Sequence, residues 1–405
     1  MGMKEGRRSN NICTYWLAGK CRRNPCKFLH GEPQPQRSET KRSMVWKNSN
    51  VKNSKVLLSP ATKVTGSVSK ELNSIRKEEI CKFWLLGKCN YGDRCRKLHS
   101  WFKGKGFSML ARLEGHMKPI TGISLPLGDN KLYSASSDGS VRIWDCHSAQ
   151  CIRESKTSHE FGPLISEGSW VFLGMTNVVK AWNFQTGMEV SLNGGPFGKV
   201  YALATSDDML FAAAQSGGIW VWKACGSDKN PFEFVGVLKG HTSTVVSLFV
   251  GCGGKKLFSG SMDKTIRFWD LERLVCIDTL VGHSDVVMSL LCWDDFLISG
   301  SLDREIKIWA MTEEGNLKVT YTHKVSHGIL ALGGMIDSKE KPVLFCSCDD
   351  SSVRIYELPS FLERGRLFAR EEVRVIEIGP NGLFFNGDAA GLVTAWKWTD
   401  EPQID

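Results

Sequence analysis

Hydrophobic and polar side chains alternate in short runs over most of the chain. From about residue 113 onward, runs of about six alternating residues are separated by short stretches containing Gly, Ser and Asp. In one run, Val141 and Ile143 point one way and Arg142 and Trp144 the other, which is the period of a β-strand. The pattern predicts a mainly β domain built from many short strands.

These strands belong to a repeated unit. Each unit contains Gly-His, an apolar run, a Ser-rich strand, an Asp in a turn and a strand that ends in Trp. The clearest copies run from Gly115 to Trp144, from Gly240 to Trp269 and from Gly282 to Trp309. Alignment on the final aromatic residue gives seven units at intervals of about 40 residues, which end at Trp144, Trp182, Trp222, Trp269, Trp309, Tyr356 and Trp396.

Seven such units resemble a WD-repeat β-propeller, in which each unit forms one blade. The resemblance implies a buried hydrogen-bonded network of His, Ser, Asp and Trp in the first, fourth and fifth blades. Its members would be His116, Ser134, Asp138 and Trp144, then His241, Ser259, Asp263 and Trp269, then His283, Ser299, Asp303 and Trp309. A His-Ser-Asp trio also suggests a hydrolase, but its recurrence in separate blades favours a structural role.

The last blade lacks an outer strand in its own repeat, because only a polar tail follows Trp398. The segment 107–113 has the length of such a strand, and we expect it to close the ring and cover an exposed edge. The propeller is therefore assigned to residues 104–400. The turn Asp is replaced by Thr176, Ser216 and Ala390 in three blades, which we expect to be held less rigidly.

Two near-copies of a zinc-ligand pattern precede the repeats. Their spacings are C-x7-C-x4-C-x3-H and C-x7-C-x5-C-x3-H, and the ligands would be Cys13, Cys21, Cys26 and His30, then Cys81, Cys89, Cys95 and His99. Three thiolates and one imidazole complete a tetrahedral site with no open position, as in structural zinc sites. We expect two structural Zn²⁺ ions, and metal binding should drive the folding of such short segments.

Charge divides the chain into a basic and an acidic part. Residues 1–110 contain 24 Lys and Arg against 7 Asp and Glu, whereas the remainder contains 28 against 36. We assign 1–31 to the first finger, 32–78 to a disordered basic linker and 79–103 to the second finger, placed near the propeller. A basic segment favours a polyanionic partner.

The sequence shows no apolar signal core and no run long enough to cross a bilayer, so we expect a nuclear protein, or else a cytoplasmic one, with no membrane partner.

The finger spacing resembles the CCCH zinc-finger family, which mostly binds single-stranded RNA. The aromatic and basic side chains around the ligands are the candidate contacts, since unstacked bases need aromatic faces and phosphates need cations. They are Tyr15, Lys20, Arg22, Arg23, Lys27, Phe28, Phe83, Lys88, Tyr91, Arg94, Arg96 and Lys97. Relative to the family pattern, each finger keeps one of two stacking aromatics and replaces the other with a cation, Arg23 or Lys97, so we expect weaker and less selective binding.

The whole chain resembles the plant family of CCCH zinc-finger proteins with WD repeats. The resemblance implies a non-enzymatic protein that binds nucleic acid, with single-stranded RNA preferred over DNA, and that recruits protein partners on its propeller. Three alternatives remain: a DNA-binding protein, a purely protein-interacting one, and a substrate receptor of a cullin-type ubiquitin ligase. No Gly-rich phosphate loop, nucleophile elbow or open metal site points to an enzyme or to a small-molecule substrate.

Overall fold

Short antiparallel strands form most of the computed structural model, which describes residues 79–399 except 105, 127–128, 226–229, 252 and 338–339. The predicted first finger and linker lie outside the described residues. The strands up to the middle of the domain are β1 (Phe102–Gly104), β2 (Phe107–Leu113), β3 (Ile120–Ser124), β4 (Lys131–Ser136), β5 (Ser140–Asp145), β6 (Cys151–Lys156), β7 (Leu164–Glu167), β8 (Trp170–Met175), β9 (Val178–Asn183), β10 (Glu189–Ser191), β11 (Val200–Ser206), β12 (Met209–Ala214), β13 (Ile219–Ala224) and β14 (Phe232–Leu238).

The remaining strands follow the same pattern. They are β15 (Val245–Gly251), β16 (Lys256–Ser261), β17 (Thr265–Asp270), β18 (Val275–Val281), β19 (Val287–Trp293), β20 (Phe296–Ser301), β21 (Glu305–Met311), β22 (Leu317–Lys324), β23 (Ile329–Ile336), β24 (Pro342–Cys348), β25 (Ser352–Glu357), β26 (Leu362–Phe368), β27 (Val373–Ile378), β28 (Leu383–Asp388) and β29 (Val393–Trp398). Before them lie one short helix, α1 (Lys82–Leu85), and a 3₁₀ turn at Gly92–Arg94. No helix in the described part of the chain has the length and apolar content to cross a bilayer.

The strands form seven sheets that are the blades of a propeller. Blades 1 to 5 contain β3–β6, β7–β10, β11–β14, β15–β18 and β19–β22. Blade 6 contains β23–β26 and blade 7 contains β27–β29. The first strand of each blade contacts the first strand of the next, in the order β3, β7, β11, β15, β19, β23, β27 and back to β3. This confirms the predicted mainly β fold with a seven-bladed ring.

The hydrophobic core lies between neighbouring blades. One cluster, for example, packs Phe211 and Val221 of blade 3 against Leu257 and Trp269 of blade 4, and all four side chains are at most 2% exposed. Each blade therefore covers a face of the next, and apolar residues on both faces of a strand are removed from water.

Two strands from before the repeats complete blades 6 and 7. β2 pairs antiparallel with β29, from Phe107 opposite Trp398 to Leu113 opposite Val393, so it is the outer strand of blade 7. β1 pairs antiparallel with β26 and adds a fifth strand to blade 6. Thus β1, which covers the edge of blade 6, is followed directly in the chain by β2, which closes the ring. The boundary predicted between the second finger and the propeller, at residues 103 and 104, lies inside β1.

Candidate metal centre and nucleic-acid interface

Backbone hydrogen bonds bring the first and last ligands of the second finger together. The amide of Cys81 donates to the Leu98 carbonyl at 2.9 Å, and the Leu98 amide donates to the Glu79 carbonyl at 2.8 Å. These two bonds join the start of the finger to the residue before His99. The finger therefore forms a small closed loop around its ligands.

The turn after α1 positions the second ligand. The amides of Gly87 and Lys88 donate to the carbonyls of Trp84 and Phe83 at 2.8 and 2.7 Å, which is a Schellman motif. Gly87 has φ +69°, the left-handed conformation that this motif requires after the helix. The Gly-Lys-Cys sequence thus ends the helix and turns Cys89 toward Cys81.

The four predicted ligands of this finger form one cluster. The ligand atoms of Cys81, Cys89, Cys95 and His99 all lie within 4.8 Å of one another. Ligand atoms around a tetrahedral zinc ion lie about 3.5–4 Å apart, so the cluster has the dimensions of such a site. Nε2 of His99 is buried and has no hydrogen-bond partner within the described residues. A buried nitrogen without a partner is costly unless it binds a metal.

The residues therefore fit a structural Zn²⁺ held by these four side chains. A zinc bound there would hold the finger folded and would leave no position for a substrate. Trp84 stacks on the His99 ring, with centroids 5.4 Å apart and planes 14° apart, and so fixes the orientation of the imidazole. Cys13, Cys21, Cys26 and His30 lie outside the described residues.

Aromatic and basic side chains of this finger face the solvent. Phe83 is 68% exposed and Tyr91 is 72% exposed, although the apolar surface of such rings favours burial. Lys88, Arg94 and Arg96 are also exposed. Lys97 forms an exposed ion pair with Glu79 at 3.1 Å. The surface therefore offers two free aromatic faces beside several cations. The first-finger candidates Tyr15, Lys20, Arg22, Arg23, Lys27 and Phe28 lie outside the described residues.

The finger is packed on the propeller through Trp101, which the sequence reasoning did not single out. The Trp101 ring lies 5.5 Å from that of Trp84 and also 5.5 Å from the Arg112 guanidinium. The Phe368 amide of β26 donates to the Trp101 carbonyl at 2.9 Å. These contacts join the metal cluster to both blades 6 and 7. In the sequence, the only sign of this packing is the group of Trp, Phe and Gly residues at 101–107.

In blades 1, 4 and 5 the structure brings each predicted polar network together. In blade 4, Nε1–H of Trp269 donates to Ser259 Oγ at 2.8 Å, and that hydroxyl lies 2.8 Å from Nε2 of His241. Nδ1 of His241 lies 2.7 Å from Asp263. One set of roles satisfies every group: the indole donates to the hydroxyl, the hydroxyl to the imidazole, and the imidazole to the carboxylate.

The other two networks join the corresponding residues, with a longer His–Asp distance in blade 1. In blade 1, His116 lies 2.7 Å from Ser134 and 3.3 Å from Asp138, and the Trp144 indole donates to Ser134 at 2.8 Å. In blade 5 the corresponding distances are 2.7, 2.7 and 2.9 Å. They join His283, Ser299, Asp303 and Trp309. Ser140 adds a bond of 2.8 Å to His116, a partner that the sequence reasoning did not include.

Burial determines the protonation of these groups. It lowers the pKa of His116 and His241, although the neighbouring aspartates oppose the shift. Burial by itself would raise the pKa of Asp138, but hydrogen bonds from Ser140 and the Met117 amide outweigh it and lower the pKa to about 2. His116 and His241 are therefore neutral and Asp138 is ionised at neutral pH, which matches the assigned hydrogen-bond roles.

These trios cannot act as hydrolase triads. Ser134, Ser259 and Ser299 are 0% exposed, and each hydroxyl is occupied by an indole on one side and an imidazole on the other. A nucleophile has to reach its substrate, and these cannot. The three networks hold their blades together.

Two of the blades that lack the turn aspartate provide other hydrogen-bond acceptors for their tryptophan indoles. In blade 7 the Trp396 indole donates to Asn386 Oδ1 at 2.6 Å, and Asp388 accepts from the amides of Ala390 and Leu392 at 3.0 and 2.8 Å. In blade 3 the Trp222 indole donates to the Asn193 carbonyl at 2.7 Å. The missing turn aspartate of blade 7 is thus replaced by a carboxylate two residues earlier in the chain.

The metal cluster and the repeats agree with two sequence families. Residues 76–100 match the family described as zinc finger C-x8-C-x5-C-x3-H type (and similar). Residues 107–145, 232–270 and 274–310 match the family described as WD domain, G-beta repeat. These families are those of non-enzymatic modules that bind nucleic acid or proteins.

Relatives that align with nearly the whole of this chain occur in plants. Zinc finger CCCH domain-containing protein 48 of Arabidopsis thaliana is 48% identical over 404 residues, which cover 97% of this chain and 92% of that protein. Zinc finger CCCH domain-containing protein 17 of Oryza sativa subsp. japonica is 46% identical over 402 residues, with 96% and 92% covered. Since these similarities run through the finger and the propeller alike, the chain belongs to the plant family of CCCH zinc-finger proteins with WD repeats.

Proposed function

We propose that this protein is a non-enzymatic scaffold that binds single-stranded RNA through its zinc fingers and recruits proteins with its propeller. The observation that carries the proposal is the pair of exposed aromatic rings, Phe83 and Tyr91, beside the exposed cations of the second finger. Stacking on such rings suits unpaired bases, whereas the cations suit phosphates.

Single-stranded RNA suits this finger better than duplex DNA. Reading the major groove of a duplex takes a helix that presents several side chains to base edges. α1 has four residues, and the 3₁₀ turn at Gly92–Arg94 has three. Splayed bases need no such helix.

The position of the finger supports a scaffold role. Because Trp101 packs against Trp84 and Arg112, an RNA bound to the finger is held at the rim of blades 6 and 7. The propeller surface remains available to proteins. A nuclear location is part of the same proposal, supported by the basic N-terminal segment, and imaging of a fluorescent fusion in cells tests it.

Replacement of the exposed rings tests the RNA-binding surface. The double variant Phe83→Ala and Tyr91→Ala in the full zinc-loaded chain should weaken binding of a fluorescein-labelled single-stranded RNA at least fivefold, since stacking contributes about 1–3 kcal/mol per base. Leu86→Ala is the matched control, because Leu86 is 48% exposed on the same finger and offers no ring. Equal binding by the double variant and the wild type in fluorescence anisotropy would contradict the proposal.

A further inference from the structure

A cleft of about 360 Å³ lies between blades 2 and 3. Its apolar wall includes Trp170, Phe172 and Phe232, and the Phe232 ring lies 5.0 and 5.3 Å from the other two rings in edge-to-face contacts. Phe172 and Phe232 are buried, whereas Trp170 is partly exposed. The cleft therefore has a preformed aromatic wall that solvent reaches at Trp170.

Shortened strands leave this cleft open. β7 has four residues and β10 has three, whereas the corresponding strands of blade 3, β11 and β14, have seven each. With strands as long as β11 and β14, blade 2 would cover more of blade 3 than it does. The uncovered edge of blade 3 includes the hairpin between β11 and β12.

Negative charge surrounds the opening. Glu167, Asp207 and Asp208 line the cleft and are exposed, and no Lys or Arg is among its described lining residues. Lys223 lies outside the lining and pairs with Asp208 at 3.1 Å. Glu167 accepts a hydrogen bond from the Thr205 hydroxyl at 3.2 Å, which leaves its charge uncompensated. Such a rim repels phosphate groups and attracts cations.

We propose that this cleft is the docking site of a linear basic peptide segment that inserts one aromatic side chain. The apolar wall would receive the ring, because aromatic side chains in pockets provide most of the energy in many peptide interfaces. Glu167 and Asp207 would receive flanking Lys or Arg side chains, whereas Asp208, already paired with Lys223, adds negative charge at the rim. The inference rests on the proposed recruitment of proteins by the propeller and assigns a place and a partner chemistry to it.

A labelled peptide of sequence Ala-Lys-Arg-Ala-Trp-Lys-Arg-Ala is the probe, titrated with the full zinc-loaded chain at about 50 mM salt in fluorescence anisotropy. Asp207→Asn with Asp208→Asn should weaken binding about tenfold. A peptide with Ser in place of Trp should bind the wild-type protein about tenfold more weakly than the Trp peptide does. Met188→Lys, which places a cation among the lining residues, should also weaken binding of the Trp peptide.

The molecule offers a matched control on another blade. Asp294 and Asp295 are exposed at the tip of the β19–β20 hairpin, as Asp207 and Asp208 are at the tip of β11–β12. The first residue of each pair has a positive φ, 49° and 40° respectively. Asn tolerates that conformation, so both double variants should fold and melt like the wild type.

The two pairs of variants distinguish binding in the cleft from attraction to the acidic propeller surface as a whole. The control pair Asp294→Asn and Asp295→Asn should leave peptide affinity unchanged. Equal weakening by both pairs would show general attraction to an acidic propeller and overturn the proposal, as would no binding of the probe up to about 1 mM. The single-stranded RNA titration, run on the same proteins, should not change with either pair. Loss of RNA binding by Phe83→Ala and Tyr91→Ala with intact peptide binding separates the two functions.

Discussion

Removal of the Phe107 ring should destabilise the propeller far more than its place in a seven-residue strand suggests. Phe107 is 7% exposed, and its ring contacts those of Phe102, Phe345, Phe384 and Trp398 at 5.2, 6.2, 5.5 and 4.3 Å. These partners belong to β1, blade 6 and blade 7. A single side chain thus packs the closing strand against the rest of its own sheet, blade 7, and against blade 6 together with β1, the strand that follows the finger.

Phe→Ala in a core costs about 3–5 kcal/mol, because the transfer free energy of the ring and the energy of the cavity add. We expect about 4 kcal/mol for Phe107→Ala, since the side chain is buried and four ring contacts are lost. For a domain of this size that corresponds to a fall of about 8 °C in Tm. Urea unfolding followed by tryptophan fluorescence and far-UV circular dichroism measures it.

Leu110 lies on the same strand and provides the matched control. Its side chain is 53% exposed, so Leu110→Ala should change the free energy of unfolding by less than about 0.5 kcal/mol. If both variants lose the same stability, or if Phe107→Ala loses less than about 1 kcal/mol, then the strand does not hold the ring closed as the contacts indicate.

Three further predictions concern the networks, the central cavity and the metal. Ser259→Ala should lower the free energy of unfolding by about 1–3 kcal/mol in urea titrations, because it leaves His241 and Trp269 without their shared partner; a loss under about 0.5 kcal/mol would argue against the network. Burial raises the pKa of Glu377, beside the central cavity, from its usual value of 4.5 to about 7, so stability is lost as pH rises from about 4.5 to about 7 and the loss is complete above that range. Glu377→Gln should therefore raise stability by about 1–3 kcal/mol at pH 8 and leave it unchanged at pH 4; an equal gain at both pH values would show that the charge of Glu377 is not the cause. A chelator should change the tryptophan fluorescence of the wild type as the second finger unfolds. Cys89→Ser should show that changed spectrum before any chelator is added. If the spectrum of Cys89→Ser is instead identical to that of the untreated wild type, the metal assignment is contradicted.

The polar network of blade 1 should contribute less to the free energy of unfolding as pH falls. His116 has a folded-state pKa below its unfolded value of about 6.5, so its contribution is complete above that pH and is lost as pH falls further. Asp138, with a pKa of about 2 in the folded state, adds a second loss below about pH 4. Chemical unfolding of the Glu377→Gln variant at pH 7, 5 and 3.5 measures both losses without the opposite contribution of Glu377, and stability of this variant that rises toward pH 3.5 would contradict the assigned protonation states.

The repeats could be read from the sequence because each network is local in its own blade. Gly-His, Ser, Asp and Trp recur at near-constant spacing, and hydrogen-bond geometry requires that spacing. The place of β2 followed from the repeat itself, because the seventh unit supplies three strands of its blade and the exposed edge of β29 needs a partner. The four metal ligands of the second finger followed from their spacing.

Other features could not be predicted, because they depend on contacts between distant parts of the chain. β1 has three residues and shows no alternation that would identify a strand. Its conformation depends on close packing: Gly104 has φ +137°, and a Cβ there would lie 2.8 Å from the Arg364 carbonyl. In blade 7, Asp388 lies outside the repeat's usual position but accepts from the Leu392 amide, which corresponds to the amide that the turn aspartates of blades 1, 4 and 5 bind two residues later in the chain.

A competition experiment tests the central claim most directly. The full zinc-loaded chain is bound to labelled single-stranded RNA at fixed moderate salt and challenged with unlabelled RNA or with duplex DNA of equal length. The account predicts that RNA competes at a concentration at least tenfold lower than duplex DNA does, because the finger has exposed rings and no helix that enters a groove. Equal competition by both would show a charge-driven interaction and contradict the preference for unpaired bases.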